Sequence, residues 1–338
     1  MKADKKVFII AELSANHNHS LELARQTIRA ASEAGADAIK LQTYTADTLT
    51  IDCDNAYFRI KGTAWDGMNL YKLYQQAYTP WEWHAELQRE AHAVGLQFFS
   101  TPFDATAVDF LESLGVPFHK VASFELIDIP LLEKVGATKK PVILSTGMAS
   151  VEEIEEAVAT LTNAGCPEIT LLKCTSAYPA APESMNLLTI PDMIRRFGVR
   201  VGLSDHTVGT DIAVAAVALG ATVIEKHFIL DRKVGGPDSH FSCEPAEFRK
   251  MVEAVRIVEQ AIGQPFYGCT PAEESSKVFR KSLFVVKDTA SGEPFTPENV
   301  RSIRPGHGLH PRNLKNILSS HAANAIKRGT PLTPECVT

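Results

Sequence analysis

The sequence predicts an α/β protein whose larger part is an eight-stranded parallel (β/α)8 TIM barrel. Three observations carry that expectation. Eight short apolar runs alternate with amphipathic stretches of helical period. Each run ends in polar or charged residues, as strands do at the rim where parallel α/β folds keep their chemistry. After about Gly263 the alternation stops and short strand-like and turn segments take over.

In chain order the predicted strands are Val7–Glu12, Ala38–Gln42, Gln97–Thr101, Phe118–Val121, Val142–Ser145, Ile169–Lys173, Arg200–Leu203 and Val223–His227. Helices are expected at 21–34, 80–94, 105–114, 151–163, 210–219 and 246–262, with a short one near 129–135 and one at 186–197 interrupted by Pro191. Ser150 and Glu153 have capping-box spacing, and Gly165 and Gly220 follow helical runs where a left-handed stop belongs. Eight alternating units favour closure into a barrel over a doubly wound sheet, and no Gly-x-Gly-x-x-Gly fingerprint follows the first strand. The expected division is a barrel over 1–263, a Pro/Gly/Ser-rich linker over 264–278 and a small domain over 279–338. The last looks too short for a generous core of its own, so docking is expected.

Composition narrows the function. The 338 residues are 45% hydrophobic and 22% charged, with a formal net charge of -6, which argues against a nucleic-acid partner. No apolar stretch has the length of a membrane span, no secretory signal opens the chain, and six scattered cysteines form no CxxC pair. Reduced thiols and a cytoplasmic location are expected.

The strand ends supply the candidate site. Two imidazoles, His206 and His227, close neighbouring strands and are positioned to converge on one divalent cation. Lys40, Thr101, Lys120, Ser123 and Ser204 stand at strand ends and Ser176 just beyond one, a set suited to a multiply charged anion. Thr101 and Ser123 have an alternative as helix caps. Glu12 ends the first strand and is the candidate proton-transfer group, the alternative being an ion pair with a barrel lysine. A long segment, 44–79, carries Tyr57, Phe58, Trp65, Tyr71, Tyr74 and Tyr78 and is expected to shape a substrate pocket.

The motifs Ala11-Glu-Leu-Ser-Ala-Asn-His-Asn18, Lys40-Leu-Gln-Thr43, Ser100-Thr-Pro-Phe103, Lys120-Val-Ala-Ser-Phe-Glu125, Ser145-Thr-Gly-Met148, Ser204-Asp-His-Thr207, Glu225-Lys-His-Phe228 and Gly236-Pro-Asp238 resemble the sialic acid synthases of the NeuB type. The region 280–332 resembles the antifreeze-like (SAF) domain of that family. The resemblance implies condensation of phosphoenolpyruvate with an open-chain 2-acetamido sugar. It implies a divalent metal on His206 and His227, Mn²⁺ first and Mg²⁺ or Co²⁺ next. Phosphoenolpyruvate then meets Lys40, Thr101, Lys120, Ser123, Ser176 and Ser204, and the sugar meets Gln42, Tyr178 and Asp238. It also implies a domain-swapped homodimer in which Arg304, with Phe279 beside it, reaches the sugar site. The stretches 58–63, 65–67, 70–74, 79–84 and 174–179, and Ser176 where N-acetylmannosamine-using members usually carry Asn, favour a branch acting on a 6-deoxy bis-acetamido sugar. The alternatives within the family are N-acetylneuraminate and legionaminate synthesis. Outside it they are a metal-dependent pyruvate aldolase, which releases no phosphate, and an ice- or glycan-binding protein.

Overall fold

Eight parallel strands form one sheet in the computed structural model, which describes residues 6–62 and 65–338. The basic start Met1–Lys5, and Thr63 at the end of the 58–63 motif, lie outside the described residues. The strands are β1 (Phe8–Glu12), β2 (Ala38–Thr43), β3 (Gln97–Pro102), β4 (His119–Val121), β5 (Val142–Ser145), β6 (Ile169–Cys174), β7 (Arg200–Asp205) and β8 (Val223–His227). The sheet order β3-β2-β1-β8-β7-β6-β5-β4 joins the first strand to the last and curls the sheet into a barrel. The outer helices are α1 (Leu21–Glu33), α4 (His84–Ala93), α5 (Ala105–Ser113), α6 (Ile129–Ala137), α7 (Val151–Ala164), α8 (Thr189–Phe197), α9 (Asp211–Ala218) and α10 (Pro245–Ile262). Two more, α2 (Ala46–Leu49) and α3 (Leu70–Ala77), lie in the long segment after β2.

Local chemistry explains the boundaries. The Ser150 hydroxyl accepts from the Glu153 amide and the Glu153 carboxylate returns the bond, the capping box legible in the sequence. Gly165 ends α7 at φ 109°, a conformation that costs an L side chain a Cβ clash. Pro191 sits in the first turn of α8, where a missing N–H is harmless, so that helix begins at Thr189 rather than 186.

Side-chain alternation divides the barrel into two environments. Alternate residues such as Ile9, Ile39, Leu171, Leu203 and Ile224 face the helices and build the main core. Inside the barrel, Ile10, Ala38, Phe99, Ile143, Leu172 and Val223 form an apolar floor. Further along the strands the interior turns polar, and that layer holds Glu12, Lys40, Thr101, Lys120, Ser145, Ser204 and Glu225.

The chain divides into two compact units, Met1–Gly263 and Gln264–Thr338. The second contains a 3₁₀ helix over Pro271–Phe279, where a linker was expected, and an antiparallel pair, β9 (Ser282–Val285) with β10 (Val300–Ile303). It also has its own core of Leu283, Val285, Phe295, Val300, Ile317, Ala322, Ile326 and Leu332, more than its length suggested. A short α11 (Leu314–Ile317) lies within the 311–319 segment. Among the described residues no helix is long and apolar enough to cross a membrane. All six cysteines are free thiols.

Candidate active site

Strand register brings the candidate residues together. Glu12 lies opposite Lys40 on one side and His227 on the other, and Lys173 and Cys174 of β6 face Leu203 and Ser204 of β7. Glu12, Lys40, Thr101, Lys120, Ser145, Ser204 and Glu225 are buried.

Two ammonium groups and two carboxylates share this layer. Lys40 Nζ is 2.6 Å from Glu12 Oε2 and 3.6 Å from Glu225 Oε1, and it donates to Thr101 Oγ1 at 3.2 Å. Lys120 Nζ donates to Ser145 Oγ at 2.8 Å and lies 3.7 Å from Glu225. The Ser204 hydroxyl donates to Glu225 at 3.3 Å. Burial raises Glu12 to about 7, with Lys40 opposing and Glu225 reinforcing the rise. A carboxyl poised there can give or take a proton near neutrality.

The ion pair considered as an alternative role for Glu12 is therefore present, with Lys40. The cap alternatives fall away: Asp104 caps α5 and Asp128 caps α6. Ser123 Oγ instead accepts from the Gly147 amide at 3.0 Å. A Cβ at Gly147 would meet Ser176 Oγ at 2.2 Å and Ser123 Oγ at 2.8 Å, so only glycine lets these hydroxyls close around the β5 turn. Ser176 thus sits beside Ser123. It is not among the residues lining the small inner cavity of about 50 Å³, which Lys40, Gln42, Thr101, Lys120, Ser123, Tyr178, Ser204, His206 and His227 do line.

The two imidazoles meet at the mouth, with ring centroids 5.4 Å apart. His206 Nδ1 faces the Thr175 carbonyl at 3.0 Å, which assigns the proton to Nδ1 and leaves Nε2 as the ring's basic nitrogen. The Cys174 sulfur, 3.8 Å from the same atom, is the weaker partner. His227 Nδ1 is buried without a hydrogen-bond partner, 3.9 Å from Asp238 Oδ2. Burial, and then the neighbouring His206, push His227 well below the usual imidazole range, so the ring is neutral and able to donate a lone pair. Among the described residues no group of three or more His, Cys, Asp or Glu side chains forms a ready-made cage. A cation here would use two imidazoles and leave its remaining positions to oxygen ligands, a donor set that suits a borderline divalent ion.

Beyond the histidines opens a cavity of about 350 Å³. Its polar side is Ser14, Gln42, Glu125, His227 and Asp238; its apolar wall is Leu49, Ile60, Leu70, Leu73 and Ala77 with Tyr44, Trp65, Tyr74, Phe103 and Tyr178. The long segment after β2 builds that wall through Trp65 and Tyr74, whereas Tyr57 points to solvent. Gln42 donates to Glu12 Oε1 and Ser14 Oγ, each at 3.0 Å, and Ser14 in turn bonds Asp238. Trp65 Nε1 donates to the Pro237 carbonyl at 3.2 Å, close to the turn that presents Asp238.

Four groups escaped the sequence reading as site residues: Glu225, Ser145, Ser14 and Glu125. Glu125 lines the larger cavity, its Oε2 is buried without a hydrogen-bond partner, and burial raises it to about 7. The folded state therefore holds a proton there that the unfolded chain has lost, and stability falls as pH rises from about 4.5 to 7. Glu125→Gln is expected to raise the melting temperature at pH 8 and leave it unchanged at pH 4, on the order of 1–3 kcal/mol at the upper pH. A gain of equal size at both pH values would contradict that account.

The rim lysines divide by parity. Lys40 and Lys120 point inward, but Lys173 bonds the Cys174 carbonyl and Thr175, and Lys226 pairs with Asp205 at 2.7 Å. Among the described residues the small inner cavity accordingly is lined by two lysines, Lys40 and Lys120. A larger cavity of about 490 Å³ opens at the opposite end of the barrel among Phe8, Phe118, Val223 and the Arg200–Glu168 ion pair. It has neither the histidines nor the inward lysines, and strand C-termini are where such barrels carry their chemistry.

Arg304 and Phe279 lie in the second unit, both exposed.

The chain resembles known proteins over most of its length. The pseudaminic acid synthase of Helicobacter pylori is 46% identical over 97% of this chain and 96% of its own length. The N,N'-diacetyllegionaminic acid synthase of Campylobacter jejuni is 38% identical over 96% of this chain and 98% of its own. The crystal structure of an N-acetylneuraminic acid (sialic acid) synthetase from Leptospira borgpetersenii, in complex with citrate, superposes with a TM-score of 0.72. It is 33% identical and covers 80% of this chain and 90% of that one. Residues 280–338 match the SAF domain. With residues 27–267 matching the family as a whole, the chain belongs to the NeuB family.

Proposed function

We propose that the protein is a pseudaminic acid synthase. It condenses phosphoenolpyruvate with 2,4-diacetamido-2,4,6-trideoxy-L-altrose and water to give pseudaminic acid and phosphate. The observation that carries this reading is the adjacency of two pockets: a small one with two buried ammonium groups and several hydroxyls, and a larger one with one apolar wall, meeting at paired imidazoles. The greater identity to the pseudaminic acid synthase than to the legionaminic acid synthase favours the altrose-derived sugar.

In this mechanism Lys40 and Lys120 hold the phosphate and carboxylate of phosphoenolpyruvate, with Thr101, Ser123, Ser176 and Ser204 supplying directional hydrogen bonds. C3 of phosphoenolpyruvate attacks the sugar aldehyde carbon. The enol-ether C2 becomes electron-poor, water adds there, and phosphate leaves with the C–O bond. Glu12 handles the proton at the sugar's aldehyde oxygen or ring-opening hydroxyl, held in place by Gln42. His206 and His227 would hold a divalent ion, Mn²⁺ by preference, whose chemistry there would be Lewis acidity toward the aldehyde. Tyr178, Gln42 and Asp238 orient hydroxyl and acetamido groups. The apolar wall suits a C6 methyl.

The full assembly in this proposal is a domain-swapped homodimer in which Arg304, with Phe279, serves the partner's sugar site. The NeuB-type resemblance and the exposed positions of both side chains support it. Arg304→Ala is expected to raise the sugar KM roughly 10-fold or more while leaving that for phosphoenolpyruvate within about twofold, a loss of ~1–3 kcal/mol for one charge-assisted hydrogen bond. An unchanged sugar KM would remove the arm from the site. Competition between the altrose-derived sugar and N-acetylmannosamine tests the substrate assignment, and preference for N-acetylmannosamine would reject it.

A further inference from the structure

Directly behind the two imidazoles lies a second, fully buried ion pair that the proposed chemistry does not use. Lys226 Nζ is 2.7 Å from Asp205 Oδ2, with the two side chains 1% and 0% exposed. Each partner immediately precedes a histidine, and the strand register places Asp205 opposite Lys226. By alternation both side chains point away from the barrel interior while His206 and His227 point into it.

The pair is embedded in a wider hydrogen-bond network. Asp205 Oδ1 accepts from the Thr207 amide at 2.9 Å and the Thr207 hydroxyl at 2.7 Å. Lys226 Nζ also donates to the Thr207 carbonyl at 2.8 Å. The chain on both sides of His206 is therefore tied to the residue preceding His227. The histidine carbonyls are pinned as well, His206 by the Ala180 amide at 3.0 Å and His227 by the Cys243 amide at 2.8 Å.

We infer that Asp205 and Lys226 are positioning residues that clamp the tips of β7 and β8 and so fix the separation of the two imidazoles. Two observations favour this over a purely stabilising role. Removing two charges from water is costly, and a hydrophobic pair would fill the same space at no such cost. The network also converges on Thr207, the residue just past His206, rather than on the surrounding helices. A site with only two protein ligands has no third one to correct a drift in their spacing, so preorganisation must come from behind.

The inference rests on the reading of His206 and His227 as metal ligands. The test uses the full-length protein, Mn²⁺ as probe and no substrate. Mn²⁺ affinity is measured by titration calorimetry and by loss of the free-ion electron paramagnetic resonance signal, for wild type, His227→Ala and Asp205→Asn/Lys226→Met. The double variant removes both charges together, so neither is stranded, and its circular dichroism and melting curve establish that it is folded. A milder variant, Thr207→Val, removes only the hydroxyl donor to Asp205 Oδ1, leaves the ion pair intact and serves if the double variant does not fold. The clamp predicts a fall in Mn²⁺ affinity of roughly 10- to 100-fold in a folded clamp variant. Wild-type affinity in a folded clamp variant would overturn the clamp and leave the ligand pair standing. No Mn²⁺ uptake by wild type, or equal uptake by His227→Ala, would overturn the ligand pair and the clamp with it.

Discussion

His227→Ala is expected to reduce turnover by at least about 10³-fold, some 4 kcal/mol of transition-state stabilisation, and to weaken divalent-metal binding while the protein stays folded. The ring is buried at the mouth of the barrel with one nitrogen unpartnered, so its removal takes away a ligand without breaking a hydrogen bond of the fold. His206→Ala should match it in turnover and cost somewhat more stability, because its Nδ1 proton goes to the Thr175 carbonyl. Steady-state kinetics at saturating sugar and phosphoenolpyruvate, with melting curves alongside, check both. Wild-type activity in either variant would refute the ligand assignment.

Lys120→Met should act differently. Its side chain is 2% exposed, and its ammonium is held by Ser145 and Glu225 at the small pocket. Losing it removes one of two cations available to a multiply charged anion and leaves Glu225 with Lys40 as its counter-ion. The expected result is a fall of ~10²–10³-fold in kcat/KM for phosphoenolpyruvate, about 3–4 kcal/mol, with the sugar KM little changed. A loss confined to the sugar KM would place Lys120 on the wrong substrate. Methionine fills the space of the stem, so a large fall in melting temperature is not expected.

The eight strands were legible because each is a short, near-continuous apolar run, the pattern of strands covered on both faces. Their ends were legible because the polar residues come abruptly, as in Val223-Ile-Glu-Lys-His227. Direction was harder to read than position. Lys173 and Lys226 look like Lys40 and Lys120 in the sequence, yet they point to the opposite face. Parity gives the answer: Lys226 is one residue from the inward His227, and Glu225 is two. The same count identifies Glu225 as an interior group, although it looks like an interruption of an apolar strand. Glu125 is less accessible to such counting, because its environment is set by side chains from several loops rather than by its own strand. Helix α3 escaped for a related reason. Its eight residues mix aromatic and polar side chains, and its start depends on the Asn69 side chain accepting from the Tyr71 and Lys72 amides. In the second unit, eight apolar residues spread across short strands and turns assemble a core that no single run announces.

The neighbourhood of Glu12 shows how one set of contacts serves both structure and chemistry. Its pairing with Lys40 satisfies two buried charges in the folded protein, and burial keeps its proton affinity near neutrality. In the proposed mechanism an anion arriving at Lys40 would compete for the same ammonium and so free the Glu12 carboxyl for proton transfer.

The proposed reaction is carbon–carbon bond formation beside His206 and His227, which would hold a divalent ion, next to a pocket for an anionic three-carbon donor. Mass spectrometry of the product formed from phosphoenolpyruvate and the altrose-derived sugar, before and after chelation and with phosphate assayed in parallel, tests it most directly. The predicted result is a nine-carbon 2-keto acid with one phosphate released per molecule, lost on chelation and restored by Mn²⁺. Formation of that acid at full rate in chelator, or of a carbon–carbon adduct with no phosphate released, would contradict it.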